Sequence, residues 1–88
     1  MNFQFDPAKA KSNLKKHKVS FADAEGVFYD PLAIHLEDEY AEDEERWIAV
    51  GMGNINQILV VVYTLRNDEI RLISVRRATR HEVKEYEG

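Results

Sequence analysis

The residue types in this chain that could do chemistry are its arginines, and they stand where apolar runs end. The run Ile58-Leu59-Val60-Val61-Val62-Tyr63-Thr64 leads into Leu65-Arg66. The run Ile70-Arg71-Leu72-Ile73-Ser74-Val75 leads into Arg76-Arg77, and Arg80 follows shortly after. A continuous apolar run reads as a buried strand. A guanidinium at the rim of such a strand has a rigid support and a planar fork of donors that matches a phosphate. Several forks around one pocket would hold a phosphodiester and stabilise the charge that grows on it during cleavage. Arg66, Arg76 and Arg77 are therefore assigned to phosphate binding and transition-state stabilisation. Successive strand residues point to opposite faces, so Arg76, which shares the face of Ser74, is preferred over Arg77.

Were the bound phosphodiester that of RNA, its cleavage would also need protons to move. The 2′-hydroxyl must lose one, and the departing 5′-oxygen must gain one. Histidine is the side chain suited to such transfer near neutrality, which points to His17. Lys9 stands two turns earlier on the same stretch and can serve electrostatically. Glu45 is a further acid–base candidate. Lys9, Arg46, Tyr63 and Arg80 complete the set of candidate RNA contacts. Each has a plainer structural use. A histidine at a helix end bonds free carbonyls and favours the helix dipole. Lys9 is by default a solvated helix residue, and Glu44, Glu45 and Arg46 read as a surface ion-pair group. A tyrosine inside an apolar run, such as Tyr63, belongs to the core with its hydroxyl at the rim. Arg71 reads as an outward-facing strand residue, and Asn13 as a partner for a neighbouring loop.

Other chemistries find little footing. The chain has no cysteine, which removes disulfides, thiolate metal sites and cysteine nucleophiles. His35 and His81 stand alone, and no pair of His or carboxylate residues has metal-ligand spacing, so no metal and no cofactor are expected. The acidic stretch 37–45 lacks the glycine and spacing of a calcium loop. No run reaches the roughly 18 apolar residues of a membrane helix, and the first residues lack the basic and apolar blocks of a signal peptide. A cytoplasmic location is the expectation.

The net charge of −4 conceals a strong segregation. Residues 1–20 hold five lysines and one acid, residues 21–45 ten acids and no lysine or arginine, and residues 46–88 seven bases against five acids. Such unevenness bears on partners rather than on fold. The acidic middle should lie away from any RNA face, or cover it.

Eighty-eight residues suffice for one small domain. Phe3 and Phe5 alternate with polar neighbours as a short strand. Asp6-Pro7 starts a helix that runs to residue 16 or 17. Ser20 caps a second helix, with Asp23 in capping-box position and an apolar face of Phe21, Ala24, Val27 and Phe28. Asp30-Pro31 ends it. Strands are expected at residues 32–36, 46–52, 58–65 and 70–75, and a last helix at 79–87 with Thr79 as cap and Glu82 three residues on. The order is β-α-α-β-β-β-β-α. The strands form an antiparallel meander with the two amino-terminal helices over one face, an α+β sandwich. The strand at 70–75 is expected to leave an edge open to a partner strand.

The motifs Phe3-Gln4-Phe5-Asp6-Pro7-Ala8-Lys9, Asn13-Leu14-Lys15-Lys16-His17, Val19-Ser20-Phe21-Ala22-Asp23-Ala24, Val27-Phe28-Tyr29-Asp30-Pro31, Glu44-Glu45-Arg46-Trp47, Val62-Tyr63-Thr64-Leu65-Arg66 and Ile70-Arg71-Leu72-Ile73-Ser74-Val75-Arg76-Arg77-Ala78 resemble, in order and spacing, those of the BrnT family. The likeness spans nearly the whole chain. It implies a RelE-like fold and a toxin of a bacterial type II toxin–antitoxin pair. It further implies a metal-independent endoribonuclease that leaves a 2′,3′-cyclic phosphate and arrests translation and growth. A BrnA-type antitoxin would neutralise it, in a heterotetramer, and DNA would be met only through the antitoxin. The family usually has tryptophan where Phe5 stands, glycine near Lys18 and often alanine where Val75 stands. A rival reading is an inactive antitoxin-binding module or a co-repressor component.

Overall fold

The computed structural model describes residues 1–42 and 44–88. After a two-residue strand β1 (Phe3–Gln4), the Asp6 carboxylate accepts the Ala8 amide at 2.9 Å and Pro7 fills the first turn of α1 (Pro7–His17). Lys18 closes this helix in the left-handed region, at φ 63°, where its N–H donates to the Leu14 carbonyl at 2.9 Å. Glycine enters that region without the clash a Cβ brings. Lys18→Gly is expected to raise folding stability by about 1 kcal/mol, read as a higher urea midpoint with an unchanged slope.

Ser20 accepts the Asp23 amide at 3.2 Å and opens α2 (Phe21–Ala24), which tightens at once into a 3-10 segment, Glu25–Tyr29. A single helix through Phe28 was the reading of the sequence. Asn54 explains the difference. Its backbone N–H donates to the Asp23 carbonyl at 3.0 Å, and its side-chain amide to the Ala22 carbonyl at 2.9 Å. Those are the acceptors a continuing α-helix would need. Gly26 allows the approach, since a Cβ there would come within 2.7 Å of the Asn54 amide nitrogen.

Four strands follow: β2 (Ile34–Asp38), β3 (Arg46–Met52), β4 (Ile58–Arg66) and β5 (Glu69–Arg77). They pair antiparallel in turn, and β1 joins β5 in parallel, giving the order β1-β5-β4-β3-β2. Asp43, within the stretch read as the acidic loop 37–45, lies outside the described residues. One face of the sheet carries Ala49, Leu59, Val61, Leu72 and Val75, all buried under Val19, Phe21, Ala24 and Val27. A bulge at Ile73 lets both Leu72 and Val75 reach this core, because Tyr63 pairs with Leu72 while Val62 pairs with Ser74. The opposite face carries the row Leu36, Ile48, Val62 and Ser74, of which none is buried. The last helix, α3 (Arg80–Glu87), starts in a full capping box between Thr79 and Glu82 and buries none of its residues.

The expectation of an open β5 edge needs correction. Phe3 and Gln4 pair with Ile70 and Arg71. Further along, Asn13 substitutes for a strand. Its side chain accepts from the Val75 N–H at 3.1 Å and donates to the Val75 carbonyl at 2.9 Å and to the Val19 carbonyl at 3.2 Å. One amide side chain so satisfies three buried main-chain groups and fixes α1 against β5. The longer of the two edge strands of the sheet is β2, the other being the two-residue β1.

Candidate nucleic-acid interface

Sheet order converts the segregation of charge along the chain into a separation in space. The lysines of α1 lie beside β5, whereas the acidic connection between β2 and β3 lies at the other edge. Three strand spacings, about 14 Å, separate β5 from β2. That exceeds the Debye length of about 8 Å at physiological ionic strength. An anionic strand at the β5 edge is therefore largely screened from the acidic pole.

A groove of about 210 Å³ opens at that edge, lined by Lys9, Ser12, Asn13, Lys16 and His17 from α1 and by Ile73 and Ser74 from β5. Positions 9, 12, 13, 16 and 17 share one helical face, and the Asn13 clamp turns that face onto β5. The Ile73 bulge shapes the other wall. Among the described residues, neither Lys9 nor Lys16 is in an ion pair. The groove thus offers two unneutralised ammonium groups, an imidazole and two hydroxyls. Of the residues assigned from sequence, Lys9 and His17 are brought together here.

The arginines are not gathered in one pocket. Arg76 pairs across the sheet with Val60, and Arg66 closes the same strand six residues later, about 20 Å away. Each already holds a carboxylate. Arg66 Nη2 lies 3.0 Å from Glu44, and Arg76 makes a two-pronged contact with Glu82 at 2.8 and 2.9 Å. The cause is register: two antiparallel strands joined by a short turn put the ends of their apolar runs at opposite ends of the sheet. Arg76 does share the face of Ser74, as alternation required, while Arg77 points to the other and donates through Nε to Gln57 at 2.8 Å. Arg80 is exposed at the start of α3. Arg46 lies across from Asp38 on the open face, and Glu45 is exposed, its carbonyl accepting the Thr64 hydroxyl at 2.7 Å. Tyr63 faces the core, 6 % exposed, with its hydroxyl 2.8 Å from His35 Nδ1. Burial pushes that phenol up from its ordinary value. Tyr63 is thereby remote from a strand on the open face.

The model of the family described as "Ribonuclease toxin, BrnT, of type II toxin-antitoxin system" matches residues 5–82. This chain belongs to the BrnT family. The crystal structure of the Brucella abortus ribonuclease toxin BrnT is similar to it, at 26 % identity and a TM-score of 0.67, over 91 % of this chain and 99 % of that one. No curated protein sequence matches the chain. The BrnT structure shares the α+β build of a five-stranded, mostly antiparallel sheet with three helices. Among the described residues, no helix is long and apolar enough to cross a membrane, and no group of three or more metal-ligating side chains is assembled.

In this BrnT chain the groove also involves residues that sequence reading passed over. Lys16, Ser12 and Ser74 line it, and the spacing 9-12-13-16-17 was the available signal. Arg71 also matters, since it pairs with Thr64 on the open face and continues a basic track from Ser74 toward Arg46 and Arg66.

Two polar ties hold α3. The Tyr86 hydroxyl donates to Asp30 Oδ2 at 2.6 Å, and Asp30 also receives the amides of Met52 at 2.8 Å and Leu32 at 2.9 Å. The second tie is Arg76 to Glu82. The Arg76 hydrogen bond, against an opposing desolvation and with help from the Thr79 amide, lowers the Glu82 carboxyl from its ordinary 4.5 to about 2. A depressed carboxyl contributes in full above about pH 4.5, and its contribution fades as pH falls toward 2. The amide resonances of α3 are accordingly expected to lose dispersion in that window. In Glu82→Gln they are expected to be less dispersed already at neutral pH and to change less across that window.

Proposed function

We propose that this chain is a metal-independent endoribonuclease toxin that cleaves RNA at the groove between α1 and β5. The observation that carries this reading is the meeting of Lys9, Lys16 and His17 around one opening, free of carboxylate partners among the described residues. Membership of a ribonuclease toxin family supports it. Lys9 and Lys16, two helical turns and about 10 Å apart, grip the phosphates on either side of the scissile link. His17 takes the proton of the 2′-hydroxyl. The 2′-oxygen then attacks phosphorus, the bond to the 5′-oxygen breaks, and that oxygen regains a proton from the imidazolium or from water. The products are a 2′,3′-cyclic phosphate and a 5′-hydroxyl. Arg76 stands at the same edge and can exchange Glu82 for a phosphate. Arg46, Arg66 and Arg71 extend a phosphate track over the open face, while Arg77, Arg80 and Glu45 lie at its margins. Holding the substrate in place carries more of the rate than tuned acid–base chemistry does.

The same reading makes the fold RelE-like and the cytoplasm the place of action. Cleavage arrests translation, and a BrnA-type antitoxin neutralises the toxin in a complex of two copies of each, which meets DNA only through the antitoxin. Incubating the purified chain with an RNA oligonucleotide and mapping the ends is the test. Cyclic-phosphate ends that persist in excess EDTA are expected. RNA left intact in every condition, or cleavage abolished by EDTA, would refute the reading. A second reading, a partner-binding module without nuclease activity, draws on the carboxylates already paired with Arg66 and Arg76. It requires intact RNA together with retained antitoxin binding.

A further inference from the structure

The stripe of α1 beside the lysine–histidine groove leads to a second surface of different chemistry. Phe5, Ala10, Leu14 and Phe21 form an almost wholly apolar groove of about 360 Å³. Phe5 is 43 % and Leu14 48 % exposed, while Phe21 is 3 % exposed and forms the floor, its ring edge-on to Phe5 at 5.7 Å. Leaving two large apolar side chains half in water on one groove is unfavourable for the isolated chain, and such a patch marks an interaction site when it is rimmed by polar groups. The rim here is cationic. Lys11 lines the groove, Lys15 follows four residues later on the same helix, and Lys18 stands just past its end as the C-cap. Among the described residues none of the three is in an ion pair. The acidic connection between β2 and β3 lies at the far edge of the sheet.

We infer that this groove receives an amphipathic helix of a partner protein, whose apolar stripe seats on Phe5, Leu14 and Phe21 and whose flanking carboxylates meet Lys11, Lys15 and Lys18. An apolar seam bordered by opposite charges is the arrangement by which two helices choose each other. The lysine stems widen the apolar contact while their ammonium groups stay at the rim. A nucleobase is a poor occupant. Recognising its edges needs polar groups in the wall, and the one hydroxyl here, Ser20, is already bonded to the Asp23 amide. The antitoxin that a type II toxin family implies is the natural source of such a helix, and to that extent the inference rests on the functional reading above.

The probe is a synthetic helical peptide with leucines along one stripe and glutamates on both flanks, titrated against the intact chain by fluorescence anisotropy. Saturable binding that weakens with added salt is expected. Leu14→Glu should reduce affinity about tenfold or more without changing the melting temperature, because Leu14 is half exposed. The double variant Lys11→Glu/Lys15→Glu should prefer a peptide flanked by lysines instead. Affinity poorer than about 1 mM, indifference to Leu14→Glu, or equal binding of both peptides would overturn the inference. So would sedimentation showing a dimer of this chain that Leu14→Glu abolishes, or RNA that competes the peptide away. None of these readouts needs nuclease activity, so intact RNA in the cleavage assay would refute the ribonuclease reading and leave the peptide result standing. Leu14→Glu is expected to cleave RNA like the parent, and a folded Leu14→Glu chain that no longer cleaves would show that the two surfaces are one.

Discussion

Asn13→Ala is expected to remove about 3–5 kcal/mol of folding stability, a large share of the total of about 5–15 kcal/mol typical of small domains. The size follows from what the side chain leaves behind. The Val75 N–H, the Val75 carbonyl and the Val19 carbonyl each lose their partner inside a nearly closed environment, since Asn13 is only 7 % exposed and Val19 and Val75 are fully buried. An orphaned buried group costs about 1–3 kcal/mol, and partial relaxation or an entering water reduces the sum. Asn13→Asp is expected to be worse than Ala. It keeps the acceptor for Val75 N–H but loses both donated bonds and turns a carboxylate toward two carbonyl oxygens. Urea unfolding followed by circular dichroism reads both, and a loss below about 1 kcal/mol for Ala would mean that the clamp is dispensable. RNA cleavage should fall with the clamp, because Asn13 sets the distance between α1 and β5 and so the width of the groove.

His17→Ala is expected to lower the rate of RNA cleavage about 10²–10⁴-fold, the usual range for a positioned acid–base group. Its stability should change by less than about 1 kcal/mol, because His17 lies at the half-exposed end of α1. The competing use of this residue is electrostatic, as a cation near free carbonyls and near RNA. Replacement by Arg separates the two. An arginine keeps the charge at the helix end and binds phosphate but does not exchange protons at neutral pH. If proton transfer is the role, His17→Arg is as slow as His17→Ala. Arg restoring the parental rate would make His17 a binding residue and leave the proton steps to solvent.

Much of the fold was legible in the sequence because its signals are short-ranged. Asp6 with Pro7, Ser20, and Thr79 with Glu82 each act within a turn of the helix they start, and all three caps form. The apolar runs of β4 and β5 and the pairing of Arg76 with Ser74 on one face follow from a period of two. Where a distant group intervened, local reading fell short. Asn54 takes two carbonyls of α2 from more than thirty residues away and shortens that helix. The candidate site shows the same division more sharply. That lysines, a histidine and arginines are the candidates for the chemistry is written in residue types, and the helical stripe containing Lys9, Lys16 and His17 is written in their spacing.

Which cations meet is not written there. Arg66 and Arg76 looked alike, as arginines ending apolar runs, yet register sends them to opposite ends of the sheet and hands each a carboxylate. Asn13 looked like a minor loop contact, yet it closes a gap of 62 residues to Val75 and builds one wall of the groove. The sequence by itself determined the elements, their caps, the segregation of charge and the family likeness, because those depend on neighbours within a few positions. Only the tertiary structure decided the edge on which lysine, imidazole and hydroxyl converge. That edge is set by strand order, one bulge and one buried amide, and each of these depends on contacts between residues far apart in the chain.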